Sequence, residues 1–170
     1  MAEWIVASES EEPPEAEPWR QLYRYWLSKH VDGRPPARGD LDPVTEIPRM
    51  VANLMILEVM PDGYEYRLIG SEVVALSGVD LTNKRAGSSS RFSAVMDAWL
   101  AALDFVKTNA APRLLFSHLG TEVPATNTVL LLPLHTPDGE KMKILGALFR
   151  QGAFDPNLKV KNLSVREISN

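Results

Sequence analysis

The strongest constraint on the fold of this chain is a series of five short runs of β-forming residues. Two of them precede one long amphipathic segment and three follow it. The first two runs, at 51–60 and 64–70, flank Asp62-Gly63, and this dipeptide is a strong hairpin signal because the turn needs positive φ. If Asp62-Gly63 is a two-residue loop, Glu58 lies directly opposite Arg67, an arrangement that stabilises a hairpin. The alternation also places Tyr64, Tyr66 and Leu68 together on one face of the second strand.

The other three runs lie in the second half of the chain, at 113–119, 125–135 and 142–150. The gaps between them contain Gly120 and the stretch 136–139 (Thr-Pro-Asp-Gly), which are turn compositions. Connections this short join neighbouring antiparallel strands. We therefore predict three further strands of one antiparallel sheet.

A clean helical period fills residues 91–107, between the two groups of strands. Its apolar side chains share one face, and Asp97, Asp104 and Lys107 lie off that face. The helix should end near Asn109, because Pro112 disfavours helical backbone in the residue before it. The order of elements predicts an α+β fold, with a five-stranded antiparallel sheet and helices packed on one face.

An N-terminal amphipathic helix is predicted from Pro18 onward, where Trp19, Leu22, Tyr23 and Trp26 fall on one helical face. This aromatic face exceeds what one thin domain obviously needs. We therefore expect these four residues to form an interface with a second copy of the chain.

Composition divides the chain into three parts. Residues 1–18 hold six glutamates and no basic residue, so we predict a flexible acidic tail. Trp4, Ile5 and Val6 form a small apolar cluster within it that could dock, but a frayed end is the favoured interpretation. Residues 19–150 contain all the predicted elements and form one domain. The mostly polar stretch 151–170 is a C-terminal extension, too short for another domain.

Several classes of function are excluded or disfavoured by composition and motifs. The absence of cysteine rules out disulfides, zinc–thiolate sites and cysteine nucleophiles, and it suits a reducing compartment. Neither a signal peptide nor an apolar stretch of roughly 18–20 residues occurs, so we expect a cytoplasmic protein without membrane contact.

Lysines and arginines form no dense run, which argues against nucleic acid as a partner. Asp40 and Asp42 suit turn and cap chemistry. No metal or catalytic motif is present, and we predict no metal site and no enzyme.

Three groups of local strings resemble the stand-alone PAS domain family of alphaproteobacteria. They are LYRYWLSKH with GRPPARGDLDP and IPRM, then YEYRLIGSEVVALSGVDLTNKRAG, and finally LLLPLHTPDGE followed by ILGALF. The resemblance spans roughly residues 19–150 and implies a sheet of order 2-1-5-4-3, crossed by the 91–107 helix, with a pocket between helix and sheet. The sequence departs from the family string at Asn83, where a glycine is expected, which puts the local turn in question.

The resemblance implies signal reception or protein docking. We therefore predict a non-enzymatic signalling domain that binds a small ligand, docks to a protein partner or a second copy, or does both, without an output domain of its own. The candidate pocket residues are those expected to face the helix–sheet gap: Met55, Leu57, Tyr66, Met96, Trp99, Leu103, Phe116 and His118. Simple core packing of this stripe is the favoured competing interpretation.

No cofactor is predicted, although a noncovalent small ligand fits the resemblance. The absence of cysteine excludes the covalent flavin photochemistry of some PAS domains. The 91–107 helix holds no histidine, and haem-binding members place an axial ligand there, so haem is disfavoured, with His118 as an unusual strand-borne candidate. The alternative hypothesis is a small enzyme that uses an apolar pocket with an acid–base pair such as His118 and Asp97. It fails if Asp97 points to solvent.

Overall fold

The computed structural model describes residues 18–89, 96–119, 125–152 and 160–166. The helices are α1 (Pro18–Ser28), α2 (Pro43–Glu46), α3 (Ser71–Ser77) and α4 (Met96–Asn109), with 3-10 turns at Arg38–Asp40 and Pro48–Asn53. The strands are β1 (Leu54–Met60), β2 (Gly63–Ile69), β3 (Arg113–Leu119), β4 (Ala125–Pro133), β5 (Lys143–Gly152) and β6 (Val160–Arg166).

All these strands form one antiparallel sheet of order β2-β1-β5-β4-β3-β6. The order 2-1-5-4-3 that the resemblance implies is confirmed for the first five strands. β6 adds a strand beside β3 and lies inside the 151–170 stretch, where the polar composition gave no strand signal. β6 pairs with the otherwise free edge of β3, and that edge is formed only once the sheet has assembled, so local sequence patterns do not reveal it.

The sheet buries apolar side chains on both faces. On one face α3 and α4 cover a cluster that includes Leu57, Leu115 and Leu131. On the other face α1 and residues 38–53 cover a second cluster, which includes Leu54 and Leu130. Successive strand residues point to opposite faces, so continuous apolar runs such as those of β1 and β4 need cover on both sides. The prediction of helices on one face holds for α3 and α4, whereas α1 packs on the opposite face.

The β1–β2 hairpin turns one residue earlier than predicted. Met60 pairs with Gly63, so Pro61 and Asp62 form the loop, and Glu58 lies opposite Glu65 instead of Arg67. Gly63 has φ +145, a backbone conformation that favours glycine. The Arg67 guanidinium forms its shortest ion pair with Glu65 on its own strand, and its Nε is 3.9 Å from Glu58 Oε2. The predicted direct Glu58–Arg67 pair is therefore replaced by a diagonal contact.

The turn at Asn83 is formed although the sequence has asparagine where the family string has glycine. Its φ is +60, a left-handed conformation that asparagine tolerates better than most residues other than glycine. The Asn83 backbone N–H donates to the Tyr66 carbonyl at 2.7 Å, and the Tyr66 N–H donates to the Lys84 carbonyl at 3.0 Å. The turn thus lays residues 83–86 along the outer edge of β2.

Candidate functional site

The predicted gap between α4 and the sheet is occupied by the chain's own side chains. Met55, Leu57, Tyr66 and Leu103 are buried in one cluster, and the partly buried Trp99 packs against them. The structure therefore brings these five pocket candidates together as a packed core, as the competing interpretation of the stripe expected.

The remaining pocket candidates lie elsewhere. Met96 is partly exposed at the start of α4, beside Gly87. Phe116 does not face the gap, because Leu115 points to the α4 side and its strand neighbour Phe116 packs in the cluster on the opposite face. The backbone of His118 pairs with Thr126, and its side chain lies outside the described residues.

One polar pair lies inside the α4 cluster. The Trp99 indole Nε1–H donates to the Tyr66 hydroxyl oxygen at 3.0 Å. Burial raises the pKa of Tyr66 to about 12, although the hydrogen bond from Trp99 acts in the opposite direction. The phenol therefore stays protonated at neutral pH and fixes the orientation of the Trp99 ring.

We expect Tyr66 to titrate with a midpoint of about 12 in the folded protein, against about 10 in the unfolded chain. Because its folded pKa is raised, the stabilisation linked to Tyr66 is complete below pH 10 and is lost as pH rises through 12. The measurement is the pH dependence of the tyrosine ring ¹³Cζ resonances, with Tyr66→Phe used to assign the signal. A folded-state midpoint near that of the urea-unfolded protein would contradict the buried placement.

The four residues predicted for a dimer interface belong mainly to the core. Trp19, Leu22 and Trp26 are buried against this chain's own sheet, and Tyr23 is partly buried, stacked on Trp26 with 5.8 Å between ring centroids. The Trp26 Nε1–H donates to the Pro133 carbonyl at 3.0 Å. The aromatic face of α1 is therefore accounted for within one chain, and its size no longer argues for a second copy.

A recess of about 90 Å³ opens on the α1 face of the sheet, between α2 and the strands β1 and β2. We call it the α2–β2 groove, and its lining includes Tyr25, Leu41, Val44, Ile47, Ile56 and Leu68. Val44 is 68% exposed and Leu68 is 43% exposed. The groove thus presents large apolar side chains to solvent beside an apolar floor.

The wall of the α2–β2 groove is fastened to α1 by hydrogen bonds. The Tyr25 hydroxyl donates to Glu46 Oε2 at 2.6 Å and accepts from the Asp42 backbone N–H at 3.1 Å. Lys29 forms an ion pair with the same Glu46 carboxylate, and these contacts with Lys29 and Tyr25 lower the pKa of Glu46. Asp42 also caps α2 by accepting from the Thr45 N–H at 3.3 Å, as its predicted cap chemistry requires. The wall is therefore built before any partner arrives.

Arg38 is the only charged side chain among the described residues that line the α2–β2 groove. Its Nη1 donates to the Leu41 carbonyl at 3.2 Å, which leaves other guanidinium N–H groups to meet a carboxylate. The groove can therefore receive an apolar side chain with an acidic group beside it.

No direct signal for the α2–β2 groove is visible in the sequence, because a β-bulge turns one of its walls to the other face of the sheet. Ile56 pairs with Leu68 and Leu57 pairs with Tyr66, so Arg67 is an extra residue on β2. Tyr64 and Tyr66 pack under α4, whereas Leu68 lines the groove on the opposite face. The predicted sharing of one face by Tyr64, Tyr66 and Leu68 is therefore wrong at Leu68.

The structure does not support the acid–base pair of the enzyme hypothesis. Asp97 is exposed on α4, the outcome on which that hypothesis fails. Within the described ranges, no group of three or more histidine, aspartate or glutamate side chains could hold a metal ion. The helices described also include none with the length and apolar character needed to cross a bilayer.

Comparison with known proteins agrees with this architecture. A family model described as PAS domain matches residues 15–149, which runs from before α1 into β5 and leaves β6 outside the match. Searches of curated proteins and of solved structures gave no significant match. On the family match and the sheet order together, the chain belongs to the PAS domain family.

Proposed function

We propose that this PAS domain is a non-enzymatic docking module in signal transduction, and that it binds an apolar segment of a protein partner in the α2–β2 groove. The observation that carries the proposal is the exposure of Val44 and Leu68 at one preformed recess. Docking needs no cofactor, and the signal would pass through the partner that the groove binds.

Exposure alone is a weak argument, because single apolar residues are common on protein surfaces. The large hydrophobic residues exposed within the described ranges are Leu27, Val31, Val44 and Leu68. Val44 and Leu68 line the same recess, although one comes from α2 and the other from β2. Binding energy concentrates where a partner's apolar anchor fills a pocket of this kind.

Docking is better supported than a small ligand in the α4 gap. There, Leu57 and Leu103 are fully buried and pack directly in the core cluster. A ligand would have to displace such side chains, and interiors packed this closely yield volume only at a cost. The α2–β2 groove is open without any rearrangement.

The groove also defines the chemistry of its partner. Its floor is apolar, and Arg38 supplies a positive charge at the lining. The complementary segment carries one or two apolar side chains, of which an aliphatic one enters the recess, next to an aspartate or glutamate. The apolar anchors supply affinity, and the carboxylate facing Arg38 supplies orientation.

Site-specific photo-crosslinking in the host cell tests the proposal. A benzophenone amino acid at position 68 should give an adduct with a partner protein, whereas the same amino acid at position 107, exposed on α4, should not. Adding Val44→Glu should abolish the adduct at 68 and change stability by no more than about 0.5 kcal/mol, because Val44 is exposed. Equal adducts at both positions, or an adduct insensitive to Val44→Glu, would overturn the docking site.

A further inference from the structure

We propose that Trp4, Ile5 and Val6 of this same chain occupy the α2–β2 groove when no partner is bound. The acidic N-terminal stretch then acts as a built-in competitor that a partner must displace. This inference rests on the proposed docking function of the groove, and it adds a regulatory contact that the function does not require.

The connection is long enough for this contact. α1 begins at Pro18, and Tyr25 on the same helix lines the groove. Seven residues of helix rise about 10 Å, so the groove lies close to the start of α1. Residues 7–17 can span up to about 36 Å when extended. The segment 4–6 can therefore reach the groove with slack.

The size of the recess favours a short segment over a second copy. Its volume is about 90 Å³, below the roughly 150 Å³ of a cavity that accepts a benzene ring. One aliphatic side chain of the apolar trio, that of Ile5 or Val6, suits this space, and Trp4 would lie against the exposed rim. A stable dimer buries about 800 Å² on each partner, which a recess of this size does not supply.

The charges are also complementary. Glu3 and Glu9 flank the apolar trio, and residues 1–17 contain six glutamates and no lysine or arginine. Arg38 is the charged residue that lines the apolar groove. The segment thus matches the chemistry deduced for the partner, which is apolar anchors with a carboxylate beside them.

Tethering makes even a weak contact effective. A segment tethered to its own binding surface by a short linker experiences an effective concentration in the millimolar range. A contact with a dissociation constant of about 1 mM would therefore be occupied about half of the time. The contact would therefore weaken partner binding without blocking it.

The absence of cysteine allows a direct test in the full chain. Ser8→Cys with a nitroxide label should broaden the methyl resonances of Val44 and Leu68 and remove most of their intensity. The methyl resonances of Val73 and Leu103, which lie on the buried faces of α3 and α4, should keep theirs. Serine at positions 4, 5 and 6 together should restore the Val44 and Leu68 signals. Unchanged intensities at the groove in the parent chain would overturn the inference.

A second measurement separates this inference from the docking function. A free peptide of residues 1–12 should shift the Val44 and Leu68 resonances of the chain with serine at 4, 5 and 6, and should bind the unsubstituted chain more weakly by about twofold or more. Peptide binding of equal strength to both chains overturns the inference and leaves the docking function standing. A different combination is that the nitroxide label broadens the groove resonances of the parent chain while the serine-substituted chain, with benzophenone at position 68, gives no partner adduct. That combination supports the inference and overturns the docking function.

Discussion

Gly70→Ala is expected to lower the free energy of unfolding by about 3 kcal/mol or more, one of the largest single effects in this chain. A Cβ at position 70 would lie 2.2 Å from the Ala52 carbonyl oxygen and 2.5 Å from the Ala52 carbonyl carbon. These are backbone atoms at the end of the Pro48–Asn53 turn, and they cannot rotate away. The Gly70 N–H also donates to the Leu54 carbonyl at 2.7 Å, which holds the two segments together. Urea unfolding followed by circular dichroism measures the loss.

Gly39→Ala is the matched control for that substitution. A Cβ at Gly39 meets nothing within 4 Å, so the free energy of unfolding should stay within about 0.5 kcal/mol of the parent value. Gly70 has an ordinary φ of −68, so left-handed backbone strain does not enter, and the difference between the two variants reports mainly the steric contact. Equal stability of both variants would show that β2 does not end against the Pro48–Asn53 turn.

Trp26→Ala is expected to cost about 3–5 kcal/mol of stability. Trp26 is only 3% exposed, packs in the cluster between α1 and the sheet, and donates its indole N–H to the Pro133 carbonyl. Truncation removes the buried ring and leaves that carbonyl without its donor, and both losses act in the same direction. The measurement is again urea unfolding, made at two protein concentrations so that any association would be seen.

Leu27→Ala is the control for Trp26→Ala, because Leu27 is the next residue of the same helix and is 41% exposed. It should cost less than about 1 kcal/mol. If α1 instead served mainly to join two copies of the chain, Trp26→Ala would lower the molecular mass in light scattering and would cost little stability to the separated chain. That pattern would contradict the packing of α1 on its own sheet.

The elements that follow from local signals were predicted from the sequence. The 91–107 helix, the hairpin and the three later strands rest on periodicity and turn residues within a few positions. The hairpin and the three strands appear at about the predicted place, and so does the helix from Met96 onward, whereas residues 91–95 lie outside the described residues. The strand order came from the resemblance, because hydrophobic pattern alone does not say which strands are neighbours. β6 was missed because its pairing with β3 depends on a distant edge.

The parts that the sequence did not reveal depend on contacts between elements. Alternation in β2 is interrupted at Arg67, and this single bulge moves Leu68 from the α4 face to the α2–β2 groove. The apolar face of α1 showed that it needs cover, but it could not show whether the cover is a second copy or the sheet itself. The unbroken apolar run of β4 was the available clue, because such a run is buried on both faces.

The candidate pocket shows the same limit. The resemblance implied a gap between helix and sheet, and spacing indicated that Met55, Leu57 and Leu103 face it, which is where they lie. Spacing cannot say whether the stripe lines a void or fills it. In the structure these side chains fill the gap, and the opening lies on the opposite face, at residues from a proline-rich connector and a bulged strand.

The most direct test of the docking surface is the affinity of the partner captured at position 68, measured by titration calorimetry against the parent chain, Leu68→Glu and Lys107→Glu. We expect Leu68→Glu to weaken binding at least tenfold, which is about 1.4 kcal/mol, because a charge would then occupy the apolar groove. Lys107→Glu, on exposed α4 surface, should leave the affinity within about twofold. Equal affinity for the parent and Leu68→Glu, or a loss confined to Lys107→Glu, would contradict docking at the α2–β2 groove.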